Sequence, residues 1–224
     1  MDKRRIIEQI EEQGCIAIVR GIEAKSCVLL ARALWGGGIS MIEVTFDQKS
    51  RDGYRQTLEG IRSIRDDLGD KVCVGAGTVM TKEQVTMAKE AGASFLISPH
   101  VDTELIRLTN EQDMVSIPGA LTPTEAVQAW QAGAAFVKIF PAEMGGPSYI
   151  RAMKAPLGHI PFLAVGGVNE KNVRSFLEAG ACGVGIGGNL VNRQWILQNE
   201  FEKIRLLAEQ ITSQIKAYKT TADG

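Results

Sequence analysis

Histidine is nearly missing from this chain: His100 and His159 are the only two in 224 residues. A zinc site built from several imidazoles is therefore excluded, and a Ser-His-Asp triad would have to rest on one of these two. The four cysteines, Cys15, Cys27, Cys73 and Cys182, are scattered without a C-x-x-C pair and read as reduced core residues. Neither sign of charge is in excess, since 25 basic and 26 acidic side chains leave a net −1, so nothing drives binding to nucleic acid or to an anionic membrane. No apolar run approaches the roughly 18 to 20 residues that span a bilayer, and the opening MDKRRIIEQIEEQ is a charged helical pattern without the apolar centre of a signal peptide. These absences give the expectation of a cytoplasmic protein with no membrane or nucleic-acid partner and no metal. Low-complexity linkers are missing too, so residues 1–224 are expected to form one domain.

What is present is a rhythm. Short apolar runs alternate with longer segments of helical period, the pattern of parallel strands with crossover helices. Eight runs read as strands: 16–19, 41–46, 72–75, 95–98, 115–117, 136–140, 162–165 and 183–186. Helical segments fall at 24–34, 53–67, 82–91, 104–111, 124–132, 149–154 and 169–178. Two of them open on capping-box patterns, Thr81-Lys82-Glu83-Gln84 and Thr122-Pro123-Thr124-Glu125, and run to Gly92 and Gly133. Eight strand-helix units fit an α/β fold of the (β/α)8 TIM-barrel class better than an open doubly wound sheet. Residues 1–14 are expected as an extra helix across the barrel bottom, 194–218 as one long terminal helix, and 219–224 as a frayed end.

Strand parity then singles out three charges. In the second strand Ile42, Val44 and Phe46 share one side, while Met41, Glu43 and Thr45 share the other; the latter is the side that faces the barrel interior. In the sixth strand Lys138 lies between Phe136 and Phe140 on the inward side, and in the first Arg20 follows Ile16 and Ile18 to the mouth. Buried charges cost several kcal/mol unless paired or neutralised. An inert Arg20–Glu43–Lys138 ion cluster is one account, and an outward-snorkelling Lys138 is another. The functional account is a lysine whose pKa is lowered by burial and a nearby cation, able to attack a carbonyl while a carboxylate moves protons. Glycine turns end the last two strands, at Gly166-Gly167 and Gly187-Gly188-Asn189, where barrels commonly cradle phosphate.

Taken together, the segments Ile16-Ala17-Ile18-Val19-Arg20, Ile42-Glu43-Val44-Thr45, Val74-Gly75-Ala76-Gly77-Thr78-Val79, Ile97-Ser98-Pro99, Ile117-Pro118-Gly119 and Val137-Lys138-Ile139-Phe140-Pro141-Ala142-Glu143, with the two glycine turns, resemble the class I 2-keto-3-deoxy-6-phosphogluconate (KDPG)/4-hydroxy-2-oxoglutarate aldolase family. The resemblance runs from Ile16 to about Val191. It implies a cofactor-free, metal-free homotrimer of barrels. The implied lyase reversibly splits KDPG or its galacto epimer into pyruvate and glyceraldehyde 3-phosphate, and 4-hydroxy-2-oxoglutarate into pyruvate and glyoxylate. By position, Lys138 matches the Schiff-base lysine and Glu43 the general acid/base. Thr78 and Pro99 match the pyruvate pocket, with Phe140 beside it, and Gly166, Gly167, Gly187 and Gly188 match the phosphate turns, with Asn189 where a phosphate-binding serine is common. Arg20 is the expected carboxylate ligand, because the arginine that many members carry after Glu-Val-Thr is replaced here by the Phe46-Asp47-Gln48 stretch. Ala164-Val165 stands in place of Pro-Thr before the first glycine pair, and His100 replaces a frequent glycine; Ala164-Val165-Gly166-Gly167 resembles the galacto subgroup. Two other classes share the scaffold: a phosphosugar isomerase or epimerase without covalent lysine chemistry, and a non-catalytic phosphate-ligand barrel.

Overall fold

The computed structural model describes residues 2–222. Its strands are β1 (Cys15–Val19), β2 (Met41–Thr45), β3 (Cys73–Gly77), β4 (Phe95–Ile97), β5 (Val115–Ile117), β6 (Gly119–Ala120), β7 (Val137–Ile139), β8 (Phe162–Val165) and β9 (Gly183–Ile186). The helices are α1 (Lys3–Gln13), α2 (Ala24–Gly36), α3 (Arg51–Leu68), α4 (Lys82–Ala91), α5 (Thr103–Glu111), α6 (Pro123–Gln131), α7 (Gly146–Lys154), α8 (Val173–Glu178), α9 (Arg193–Leu197) and α10 (Phe201–Ala222). All strands are parallel, in the order β5-β4-β3-β2-β1-β9-β8-β7-β6.

The two ends of that order are one stretch of chain. β5 and β6 are separated only by Pro118, whose nitrogen carries no hydrogen for the ladder. On the far side, Ala135 N donates to Ser116 O at 3.0 Å, Lys138 N to Pro118 O at 2.9 Å and Phe140 N to Ala120 O at 3.0 Å. The segment 115–120 thus acts as the fifth staff of an eight-staff barrel, with β7 the sixth, β8 the seventh and β9 the eighth.

Parity sorts the core into two regions. Ile16, Ile18, Met41, Cys73, Phe95, Ile97, Val115, Ile117, Phe136, Leu163 and Val165 form the barrel interior. Val19, Ile42, Val44, Val74, Val137, Ile139, Val184 and Ile186 pack outward against the helices. The inward assignment for Ile16 and Ile18 of β1 holds, as do those for β2 and β7. Ile6 and Ile10, one helical turn apart on α1, join the interior set and close the barrel at its N-terminal end. Gly14, at φ +65°, caps that helix with its N–H on Ile10 O and feeds the chain into β1.

Both expected capping boxes form, with Thr81 and Gln84 on α4 and Thr122 and Glu125 on α6. Several boundaries differ from expectation. The terminal 194–218 segment is two helices, because Asn199 adopts φ +56° between α9 and α10. The expected fraying from Lys219 is not found through Ala222, where α10 continues; residues 223–224 lie outside the described residues, as does Met1 of the 1–14 segment. The 169–178 segment is helical only from Val173, since residues 169–172 form a turn in which Asn169 N donates to Asn172 Oδ1 at 2.8 Å. Ser50, accepting from Gly53 N at 3.0 Å, starts α3 earlier than expected. β3 runs on to Gly77 because it stays in register with β2 as far as Thr45.

The plug role of α1 has a direct measure. Ile10→Ala is expected to destabilise the fold by about 2 to 5 kcal/mol, the range for emptying a buried isoleucine site. Urea unfolding of the two proteins tests this, and an unmoved midpoint would mean that α1 is not part of the core.

Candidate active site

Glu43 and Lys138 come from opposite staves. β2 is the second staff of the barrel and β7 the sixth, so two inward side chains at mid-height approach each other across the interior. Glu43 is paired in register with Ile18 and Gly75, and Lys138 with Gly119 and Leu163. Glu43 is 1% exposed and Lys138 5%. Glycine makes the room: a Cβ on Gly77 would sit 1.6 Å from Glu43 Oε1, so any other residue there would displace the carboxylate. Among the described residues, Glu43 Oε2 has no hydrogen-bond partner.

The charges set each other's protonation. Burial pushes the Glu43 carboxyl above its ordinary value of 4.5, opposed by the positive charges of Lys138 and Arg20. Burial likewise brings Lys138 below its ordinary 10.5; Glu43 opposes this and Arg20 adds to it. Among the described residues, the ion pairs run over the surface, and none of them includes Arg20, Glu43 or Lys138. The inert ion cluster is thus not formed, and Lys138 does not snorkel to the outside. Its Nζ lies 4.6 Å from the centroid of the Phe140 ring.

Lys138 lines a cavity of about 480 Å³ at the C-terminal mouth of the barrel. Arg20, Thr78, Pro99, Phe140, Gly166, Gly167, Gly187, Gly188 and Asn189 line it as well, so these expected residues are brought together; Glu43 lies deeper. Arg20 Nη1 donates to Thr78 Oγ1 at 3.3 Å. Gly119 lets the Pro99 loop close over the strand ends, since a Cβ there would stand 2.7 Å from the Pro99 carbonyl carbon. Gly166 and Gly167 take φ +100° and +72°, which favour glycine, and a Cβ on Gly167 would strike Glu143. Gly188 differs, because a Cβ there would meet nothing within 4 Å; packing does not demand glycine at that spot, and its backbone is open to the cavity. Asn189 ties the two glycine loops through Nδ2 to Val168 O at 3.0 Å. Among the described residues, no cluster of three or more His, Cys, Asp or Glu is placed to hold a metal ion.

Sequence reasoning did not single out four lining residues, Ile18, Val165, Val168 and Gly185, as part of the site. The inward parity of Ile18 and Val165 was the available signal. It also passed over Gln48, which donates to Thr78 O at 2.7 Å, and the buried Gln84 behind it.

The raised Glu43 pKa has a consequence for stability. The folded chain holds the Glu43 proton where the unfolded chain has released it, so stability falls as pH rises from about 4.5 toward the folded value. Glu43→Gln removes that pH dependence. Urea midpoints taken at roughly pH 4 to 6 should show the wild type losing stability relative to the variant as pH rises, whereas parallel curves would contradict the burial of an ionisable carboxyl here.

The family model for the KDPG and KHG aldolases matches residues 6–207. The chain is 34% identical over 205 residues to the 2-dehydro-3-deoxy-6-phosphogalactonate aldolase of Escherichia coli (strain K12), which covers 91% of this chain and 94% of that one. A native KDPGal structure superposes with a TM-score of 0.83 at 32% identity, over 92% of this chain and 96% of its own. The KDPG aldolase from Legionella pneumophila, with pyruvate captured as a covalent carbinolamine intermediate, superposes with a TM-score of 0.79 at 27% identity, over 89% of this chain and 94% of its own. A family match across most of the chain and a relative of this identity and coverage lead to one conclusion: the chain belongs to the KDPG and KHG aldolase family.

Proposed function

We propose that this aldolase splits a 2-keto-3-deoxy-6-phospho sugar acid, the galacto epimer in preference to KDPG, into pyruvate and glyceraldehyde 3-phosphate through an imine on Lys138. The observation that carries the reading is Lys138 itself: a buried lysine of lowered pKa on the wall of the barrel-mouth cavity, across the interior from the buried Glu43 carboxyl, whose Oε2 has no hydrogen-bond partner among the described residues. A lysine of lowered pKa holds more of its unprotonated form, whose lone pair can attack a ketone, than an exposed lysine does at the same pH.

In this mechanism the Lys138 amine adds to C2 of the substrate, giving a carbinolamine that loses water to become an iminium. Glu43 takes the C4 hydroxyl proton through a water, the C3–C4 bond breaks, and its electron pair flows into the iminium to form an enamine while the aldehyde leaves. The Glu43 carboxyl returns that proton to C3. Water then adds to the new iminium, releasing pyruvate and the free amine. Raised basicity in Glu43 suits both steps, since the group must accept a proton and give it back. Arg20 holds the carboxylate of the oxo acid by its guanidinium fork, with Thr78, Pro99 and Phe140 around the pyruvate end. Gly166, Gly167, Gly187, Gly188 and Asn189 hold the phosphate. Val165 supports the galacto preference, because an apolar side chain on the chamber wall gives no hydrogen bond to a C4 hydroxyl of gluco configuration. The family resemblance supports a homotrimer working in the cytoplasm.

Borohydride added with pyruvate is expected to fix a covalent adduct on Lys138, located by peptide mass, and Lys138→Ala to abolish it. The rate of fixation should rise with pH and level off below the ordinary lysine value of 10.5. Glu43→Gln should still trap pyruvate while cleavage turnover falls about 10²-fold or more; folded wild-type protein that traps nothing overturns the mechanism. For substrate choice, pyruvate release is measured from the two C4 epimers and from unphosphorylated 4-hydroxy-2-oxoglutarate. The galacto epimer should give the highest kcat/KM, and a preference for KDPG would remove the role given to Val165.

A further inference from the structure

Thr78 stands at φ +55°, a left-handed backbone that a β-branched residue disfavours. Side chains from the neighbouring turn hold it there. Gln48, just after β2, donates from Nε2 to the Thr78 carbonyl at 2.7 Å. Its Oε1 accepts from Gln84 Nε2 at 2.9 Å and from the Tyr54 hydroxyl at 3.2 Å. Gln84 is 0% exposed, and its own Oε1 accepts from the Met80 and Thr81 amides at 2.6 and 3.2 Å.

This arrangement has a fixed polarity. The free amides at the start of α4 must be met by the Gln84 oxygen, which leaves only its NH₂ to offer onward. Gln48 therefore turns its oxygen to Gln84 and its NH₂ to Thr78. On the cavity side, Arg20 Nη1 donates to Thr78 Oγ1, and both residues line the chamber with Lys138. Anchoring of the two loops to each other is already supplied by Arg51 to Glu83 at 2.5 Å and by Phe46 N, which donates to Gly77 O at 2.8 Å. The bond from Gln48 to the strained carbonyl is surplus to that.

We infer that Gln48, oriented by Gln84 and Tyr54, is a positioning residue: it keeps Thr78 in the backbone that aims the threonine hydroxyl, and the Arg20 guanidinium bonded to it, at the carboxylate end of the 2-oxo acid. The inference rests on the Lys138 imine reading. It assigns Gln48 to the pyruvate half of the substrate and not to the phosphorylated aldehyde, which meets the glycine loops after β8 and β9.

Gln48→Glu is the discriminating variant. Its side chain keeps the size of glutamine and still accepts from Gln84 and Tyr54, but it sets an acceptor against the Thr78 carbonyl. Two constants are read: the pyruvate concentration that half-saturates borohydride fixation at Lys138, and the KM for glyceraldehyde 3-phosphate in condensation. The first should rise about threefold to tenfold, the scale of one lost hydrogen bond, while the second stays unchanged. A pyruvate constant that does not move, or two constants that rise together, overturns the inference. Should Gln48→Glu fail to fold, the decision passes to Tyr54→Phe, which removes only the hydroxyl on Gln48. It should raise the pyruvate constant about twofold, and no change there overturns the inference equally. Wild-type protein that fixes no pyruvate would instead defeat the imine reading, so the two failures are told apart.

Discussion

The site depends on a carboxylate and an amine buried in the same barrel interior without an ion-pair contact between them. Each is buried enough that its charged form is disfavoured, and each is the other's principal source of relief. Direct contact would convert the pair into a spent ion pair, with lysine protonated and carboxylate satisfied. Placing them on opposite staves keeps the field and withholds the contact. The vacancy left by the missing side chain of Gly77 is what lets the carboxylate sit deep enough for this to hold. Burial of this kind costs stability, and the cost is carried by the surrounding apolar core, where Ile, Val and Phe side chains fill both faces of the strands.

Much of this was legible in the sequence because period-2 patterning is a geometric statement. Once Ile42, Val44 and Phe46 are assigned outward, Glu43 has nowhere to point but in, and the same logic carries Lys138 between Phe136 and Phe140. The two capping boxes could be read for a similar reason: their hydrogen bonds are made within four residues, so no tertiary information is needed. Gly92 and Gly133 then end their helices at positive φ, as the glycine pattern foretold.

What escaped reading was non-local or depended on a single backbone angle. Pro118 splits the fifth staff without stopping it, because the ladder on the far side uses the carbonyl that proline retains. Asn199 breaks the terminal helix by adopting a left-handed conformation, an event that composition alone does not fix. Gln48 and Gln84 lie thirty-six positions apart in sequence, and neither amide carries any pattern that would pair it with the other. Gly77 read as part of a familiar motif, yet its physical role is the absence of a Cβ where an oxygen from another strand must go.

The helix across the N-terminal end gives the chamber a floor. Ile6 and Ile10 fill the barrel axis there, and Lys138 stands above them with the glycine loops toward the rim. Lys138 is therefore approached from the rim, and under the imine mechanism proposed above the molecule bonded to its amine would lie furthest from that rim. That mechanism would then have the aldehyde fragment clear the passage before pyruvate in cleavage, and the keto acid seated before the phosphorylated partner in condensation.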